Sequence, residues 1–275
     1  MPSTNRVDRS VVADLDRLAA VMAREKPAWE PGTRQAYHAL TLGFYESELL
    51  RRVDPQHRSL GRFFQDEIAS PLGLDFYIGL PESIPNSRLA TLAAPGMFRM
   101  LLGFPIQLTL AAFNRSSNIY RALVVNPGTE MYLDKERIYA RNLEVPSGEG
   151  VGTARAIAHA YSVFATGGQD LQLRPETLQA LSAPAIPATH GGFYDEGLMG
   201  EIQYSLGFMK PSPVWPFGSE GSFGLPGSGG SLGYADPKTG IGYGYVTSQM
   251  GTTLTGDPRD LALRNAVYSI IPTAA

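Results

Sequence analysis

Four histidines, His38, His57, His159 and His190, and no cysteine are what these 275 residues offer for metal or thiolate chemistry. The histidines lie far apart and none falls in a pattern such as His-Glu-x-x-His, so no metal site and no cofactor is expected. Without cysteine there is no disulfide framework, no thiolate zinc site and no cysteine nucleophile. Serine remains. Gly229-Gly230-Ser231-Leu232-Gly233 fits the Gly-x-Ser-x-Gly string of an exposed nucleophile, but that chemistry needs a strand–turn–helix context. The residues around Ser231 predict a strand running through it, so Ser231 is expected to be a strand residue and not a nucleophile.

The elements that must position any site follow from periodicity and punctuation. Apolar residues at helical spacing (Leu15, Leu18, Ala19, Met22) predict a helix over Asp14–Arg24, ending before Pro27. A loop of Pro27-Ala28-Trp29-Glu30-Pro31-Gly32-Thr33 follows, then a second helix over Ala36–Arg52. Leu60–Ile68 and Ser87–Leu92 read as further helices, Thr153–Phe164 as a clear one, and Pro175–Leu181 as one with proline in its first turn. Residues 93–150 carry no decisive period. From Gly191 to Gly251 glycine and aromatics take over. Gly221–Ala235 and Ile241–Gln249 alternate like paired strands, joined by the turn Asp236-Pro237-Lys238-Thr239-Gly240. A last helix over Pro258–Ile270 has Asp257 as its N-cap.

Helices first, then an antiparallel hairpin, then a terminal helix is the order of an α+β domain. The length suits one domain over 1–275, mainly helical over 1–190 and strand-rich with a closing helix over 191–275. Its 43% apolar and 18% charged residues are those of a soluble folded chain. A net charge of −3, with Lys and Arg scattered, makes nucleic acid an unexpected partner. No signal peptide is visible at the start, so a cytoplasmic location is the expectation. Met97–Phe113 is the longest apolar stretch, broken by Arg99, Pro105 and Gln107, and falls short of the roughly 20 residues a membrane span needs, so no transmembrane segment is expected.

Several strings occur in a telling order. Trp29-Glu30-Pro31-Gly32-Thr33 with Tyr37-His38-Ala39 and Thr41-Leu42-Gly43, then Glu67 to Leu74, Val145-Pro146-Ser147, Gly152-Thr153-Ala154-Arg155, Leu206-Gly207-Phe208 and Phe223 to Ser231 resemble successive regions of β-lactamase-like serine hydrolases. The likeness is to the esterase branch (family VIII-type, related to penicillin-binding proteins), and it runs from about Asp14 to Tyr268. It implies a β-lactamase/transpeptidase-like fold, here only in part. It also implies a small-molecule ester or amide as substrate.

In that family a serine in Ser-x-x-Lys is the nucleophile, the lysine and a tyrosine move protons, and a strand-borne third motif lines the pocket. The resemblance places Tyr37 at the tyrosine position; a tyrosine's reference pKa of about 10 can be lowered by neighbouring cations until it exchanges protons near neutrality. Ala39 stands where β-lactamases usually carry asparagine. The third motif, Lys-Thr-Gly or His-x-Gly in the family, matches Leu225-Pro226-Gly227, which loses a polar group. Ser228 follows, and its backbone N–H would supply one oxyanion-hole donor next to Gly227, a role independent of side chain. The bland alternatives are a core aromatic at Tyr37 and glycines at 227–230 that merely bend a strand. Lys238-Thr239-Gly240 spells the lactamase motif, but its place in a turn makes it a decoy, with Lys238 expected in solvent.

No serine has lysine three positions later. The resemblance therefore implies a chain that lacks the N-terminal nucleophile segment, through a short isoform, a gene-model error or a real truncation, and that is inactive alone. A sheet short of strands would leave an edge or apolar face open and favour association of copies. The alternative function is a non-catalytic binding or assembly module that retains the fold.

Overall fold

In a computed structural model, residues 9–93, 95, 106–120, 141, 143–253 and 256–271 are described. Contacts group the chain into two compact units, one of residues 1–88, 106–152 and 188–200, the other of 89–105, 153–187 and 201–275.

The first unit is mainly helical. Helices α1 (Arg9–Ala13) and α2 (Leu15–Met22) meet at Asp14, whose carboxylate caps α2 by accepting from the Arg17 N–H at 3.0 Å. α3 (Thr41–Val53) follows. Val11, Val12, Leu18, Met22, Leu40, Phe44, Leu143 and Val145 form the core of this unit. α3 starts five residues later than the expected Ala36, since Gln35 is bridged to a distant segment described below and residues 36–40 follow it without helical turns. α4 (Leu60–Phe64) is capped by Ser59 and runs into a wider turn, Gln65–Ala69. The buried Asp54 carboxylate grips Arg58 at 2.9 Å, and Arg58 also reaches Glu67 at 2.7 Å, which joins the end of α3 to the wider turn after α4. β1 (Phe76–Tyr77) pairs with β2 (Val151–Gly152). The helix expected over Ser87–Leu92 is only a single turn, Asn86–Arg88. Of the apolar stretch, Met97–Pro105 lies outside the described residues and Ile106–Phe113 forms α5, with Ile106, Leu110 and Phe113 exposed. Among the described residues no helix is long and apolar enough to cross a membrane. Residues 188–200 return to this unit and turn back through β3 (Tyr194–Asp195) and β4 (Gly200–Glu201).

The second unit is built on an antiparallel sheet in the order β5 (Tyr204–Ser205), β6 (Phe208–Met209), β7 (Phe223–Pro226), β8 (Leu232–Asp236), β9 (Ile241–Tyr245). The single strand expected over Gly221–Ala235 is in fact two, β7 and β8, because residues 227–231 turn the chain back. Gly229 at φ +85° and Gly230 at φ +110° adopt a conformation that strands do not use and that glycine alone enters freely. Ser231 thus lies at the end of a turn, outside any strand.

α6 (Ala154–Ala165), capped by Thr153, lies on one face of the β8–β9 hairpin. The register pairs Gly233 with Gly244 and Ala235 with Gly242, so that this face is almost bare of side chains. A Cβ at Gly242 would lie 2.0 Å from the Ser162 N, and one at Gly244 2.5 Å from the Ala154 O. α7 (Pro175–Ser182) joins the same layer, where Ala165, Leu181, Phe223 and Ala235 are buried together.

On the opposite sheet face, Tyr234 and Tyr243 stack at 5.1 Å, and α8 (Pro258–Ile270) closes over them. The Tyr243 hydroxyl donates to Asp260 at 2.8 Å, and Asp260 accepts from Arg264 at 2.8 Å. The buried Asp236 accepts from the Ser219 hydroxyl at 2.5 Å, the Tyr268 hydroxyl at 2.7 Å and the Lys238 N–H at 3.2 Å. Burial alone would raise its pKa, but these hydrogen bonds outweigh it and hold the carboxyl below its ordinary value.

The bare face yields a test. Gly242→Ala is expected to lower the unfolding free energy by about 2–3 kcal/mol in urea titrations, because α6 must shift to admit one methyl group.

Candidate functional site

Tyr37 sits in the first unit, half-buried, in the extended stretch before α3. This stretch is tied down by the distant return at 188–198. Gln35 bridges in parallel to Asp195, its side chain donates to the Phe193 carbonyl at 2.8 Å, and its own carbonyl accepts from the Glu196 N–H at 3.0 Å. Arg34 pairs with Glu196 at 2.6 Å. Asp195 is fully buried and accepts from the N–H groups of Gly197 (2.8 Å) and Leu198 (2.7 Å), which folds the turn tightly. Gly197 packs closely there: a Cβ on it would stand 3.2 Å from Asp195 Oδ1 and 3.5 Å from the Tyr37 carbonyl oxygen. The backbone of Tyr37 thus rests against a turn shaped by a buried carboxylate.

His38 faces a different balance. Its Nδ1 lies 3.0 Å from the Ala36 carbonyl, and burial pushes the imidazole below its ordinary value while the Asp195 charge opposes the shift.

Gly227 and Ser228 sit in the second unit, in the β7–β8 turn, and both are exposed. The Gly227 N–H donates to the Ser231 carbonyl at 2.6 Å and the Gly230 N–H to the Gly227 carbonyl at 3.1 Å. Among the described residues nothing accepts from the Ser228 N–H, which leaves it available to an incoming oxygen. The preceding Leu225 is exposed and carries no charge into the motif. The structure therefore brings Gly227 and Ser228 together as neighbours in one turn of the second unit, while Tyr37 belongs to the first.

Lys238 is exposed in the β8–β9 turn, as expected of a decoy. Ser231 borders a shallow cleft with Trp215, Phe217, Asp260 and Arg264, and among the described residues no histidine lines it. The Ser231 hydroxyl fills the space that a side chain at Gly227 would need, 2.6 Å from that Cβ position, and a strand follows it instead of a helix. Ser231 therefore has a packing role in this turn. Among the described residues no group of three or more histidine and acidic side chains could hold a metal.

Other family-like strings turn out to be fittings of the fold. Ser147, of Val145-Pro146-Ser147, accepts from the Gly43 N–H at 2.8 Å, and Gly43 belongs to Thr41-Leu42-Gly43. Thr153 is the cap of α6, and Leu206-Gly207 turns β5 into β6. Periodicity did not single out Asp195, which lies in a strand of only two residues, or the pairing of Asp257 with Arg259.

Helices joined to an antiparallel sheet that a terminal helix closes define the β-lactamase/transpeptidase-like fold. A family model described as beta-lactamase matches residues 3–268, and the chain belongs to that family. The esterase/beta-lactamase LipL of Mycobacterium tuberculosis (strain ATCC 25618 / H37Rv) is 29% identical over 267 residues, covering 93% of this chain and 58% of LipL. The crystal structure of a family VIII carboxylesterase is similar with a TM-score of 0.77 at 30% identity, over 96% of this chain and 66% of that one. A penicillin-binding protein homolog from Caulobacter crescentus is similar with a TM-score of 0.74 at 29% identity, over 98% and 67%. The chain thus spans about three-fifths of the length of LipL and two-thirds of these solved chains.

The environment of His38 sets a pH dependence. Folding favours the neutral ring, so the unfolded chain takes up the proton first; stability is full above the ordinary value of 6.5 and declines as pH falls from there toward the folded pKa. His38→Gln is expected to lose less stability across that window than the wild type, read as urea midpoints on either side of it. The buried carboxylate gives a second test: Asp195→Ala, which strips two N–H groups of their acceptor, is expected to cost about 1–3 kcal/mol in the same titration.

Proposed function

We propose that this chain carries two parts of a carboxylesterase-like acyl-transfer site, the Tyr37 hydroxyl for proton transfer and the Ser228 N–H as an oxyanion donor beside Gly227. The substrate class is a small ester or amide. The observation that supports the reading is the family match over residues 3–268, a span that contains both positions. In such a site an alkoxide attacks the acyl carbonyl, the developing oxyanion is held by backbone N–H groups, and a phenolate or phenol exchanges the proton with the leaving oxygen.

The chain alone lacks the attacking group of this scheme, because no serine precedes a lysine by three positions. Its own tyrosine and backbone donor do not acylate. The 275-residue chain is therefore expected to stay unlabelled by a serine-reactive fluorophosphonate and inert toward a chromogenic short-chain ester. A longer form that carries Ser-x-x-Lys is expected to label and turn over, and Tyr37→Phe in that form to lower kcat by about 10²–10⁴-fold. Stoichiometric labelling of the 275-residue chain that disappears in Ser231→Ala would overturn the assignment.

A further inference from the structure

The turn that offers the Ser228 N–H is not held by its own hairpin alone. Gly229 accepts from the Gly251 N–H at 2.7 Å, which ties the turn to the segment 248–251. That segment is in turn fixed by Ala93, whose N–H donates to the Ser248 carbonyl at 2.7 Å and whose carbonyl accepts from the Met250 N–H at 2.9 Å. Under both lies one carboxylate. A Cβ at Gly230 and a Cβ at Gly251 would each stand 2.5 Å from Asp257 Oδ2, so Asp257 occupies the space that side chains on the turn and on its brace would need.

Asp257 is buried and is gripped by Arg259 through two bonds, Nε to Oδ1 at 2.9 Å and Nη2 to Oδ2 at 2.6 Å. Arg259 also donates to the Gln249 carbonyl at 2.9 Å, within the brace itself. One guanidinium therefore locks the carboxylate and the brace to each other at the start of α8. This planar two-point pairing fixes direction as well as distance, which lysine would not reproduce.

We propose that Asp257 and Arg259 are positioning residues for the Ser228 N–H, holding the glycine turn so that this donor meets a carboxylate or tetrahedral oxyanion. The inference rests on the reading of Ser228 as an oxyanion donor. Asp257 fills the space beside Gly230 of the turn and Gly251 of the brace, and Arg259 acts through Asp257 and Gln249. An oxyanion donor displaced by a fraction of an ångström loses much of its effect, which gives a clamp away from the reacting atoms its value.

The test follows the backbone amide signal of Ser228 in the ¹⁵N-labelled 275-residue chain as acetate is added, and so needs no nucleophile. The wild type is expected to give a saturable shift at Ser228. Asp257→Ala and Arg259→Gln are expected to weaken acetate about tenfold or more while distant amide signals stay in place. Because these signals come from folded molecules only, a variant that merely lowers stability keeps the wild-type dissociation constant. Arg259→Lys, which keeps the charge without the two-point pairing, is expected to fall with Arg259→Gln. Arg259→Gln also carries the test if Asp257→Ala does not fold. An unchanged dissociation constant in a folded Arg259→Gln protein would overturn the positioning role and leave the donor reading standing. No shift at Ser228 in the wild type would overturn the donor reading, and the positioning role with it.

Discussion

Helix α6 reaches the β8–β9 backbone because the face beneath it carries three glycines and an alanine in register. With side chains there, the helix would stand off and the layer of Ala165, Leu181 and Phe223 would open. The opposite face of the same two strands is the reverse case, filled by two stacked tyrosines and closed by α8. A two-strand hairpin thus separates a backbone-to-backbone contact from an aromatic one, and the order of the second unit depends on keeping those two faces distinct. Alternation along the strand guarantees it, since a slip by one residue would put tyrosines under α6.

Both candidate site segments are irregular backbone held from far along the chain. The stretch with Tyr37 is laid against residues 193–198, and the turn with Ser228 against residues 93 and 248–251. In each case a buried carboxylate sits at the joint, Asp195 in one and Asp257 in the other. Neither segment has the regular hydrogen bonding of a helix or strand to fix it, so side-chain acceptors and long-range backbone bonds take over that task.

Much of the fold was legible where the signal is local. Asp14, Thr153 and Asp257 mark helix starts because a cap is a property of a few adjacent residues, and α8 runs over the expected residues. The start of α3 was not legible. Residues 36–40 have acceptable helical spacing, but Gln35 just before them is bonded to a residue 158 positions away. The β7–β8 turn was missed for another reason: glycine is compatible with a strand as well as with a positive φ, and only the observed angles at Gly229 and Gly230 decide. The change of composition near residue 190 marks the approach to the five-stranded sheet, whereas the second unit also takes in α6 and α7 from earlier in the chain. Family strings located the candidate residues, yet Arg259 lay hidden because the run Asp257-Pro258-Arg259 reads fully as an ordinary helix start.

Asp236 draws together groups 2, 17 and 32 residues away along the chain, from the β8–β9 turn, the loop at Ser219 and the last turns of α8. Most helices fray at their ends, each losing its terminal hydrogen bonds independently of the remainder of the protein. Here the Tyr268 hydroxyl fastens the far end of α8 to the same carboxylate that shapes a hairpin turn. The helix end, the turn and the loop consequently share one opening event, and amide hydrogen exchange in the three should proceed with a common protection factor instead of three separate ones.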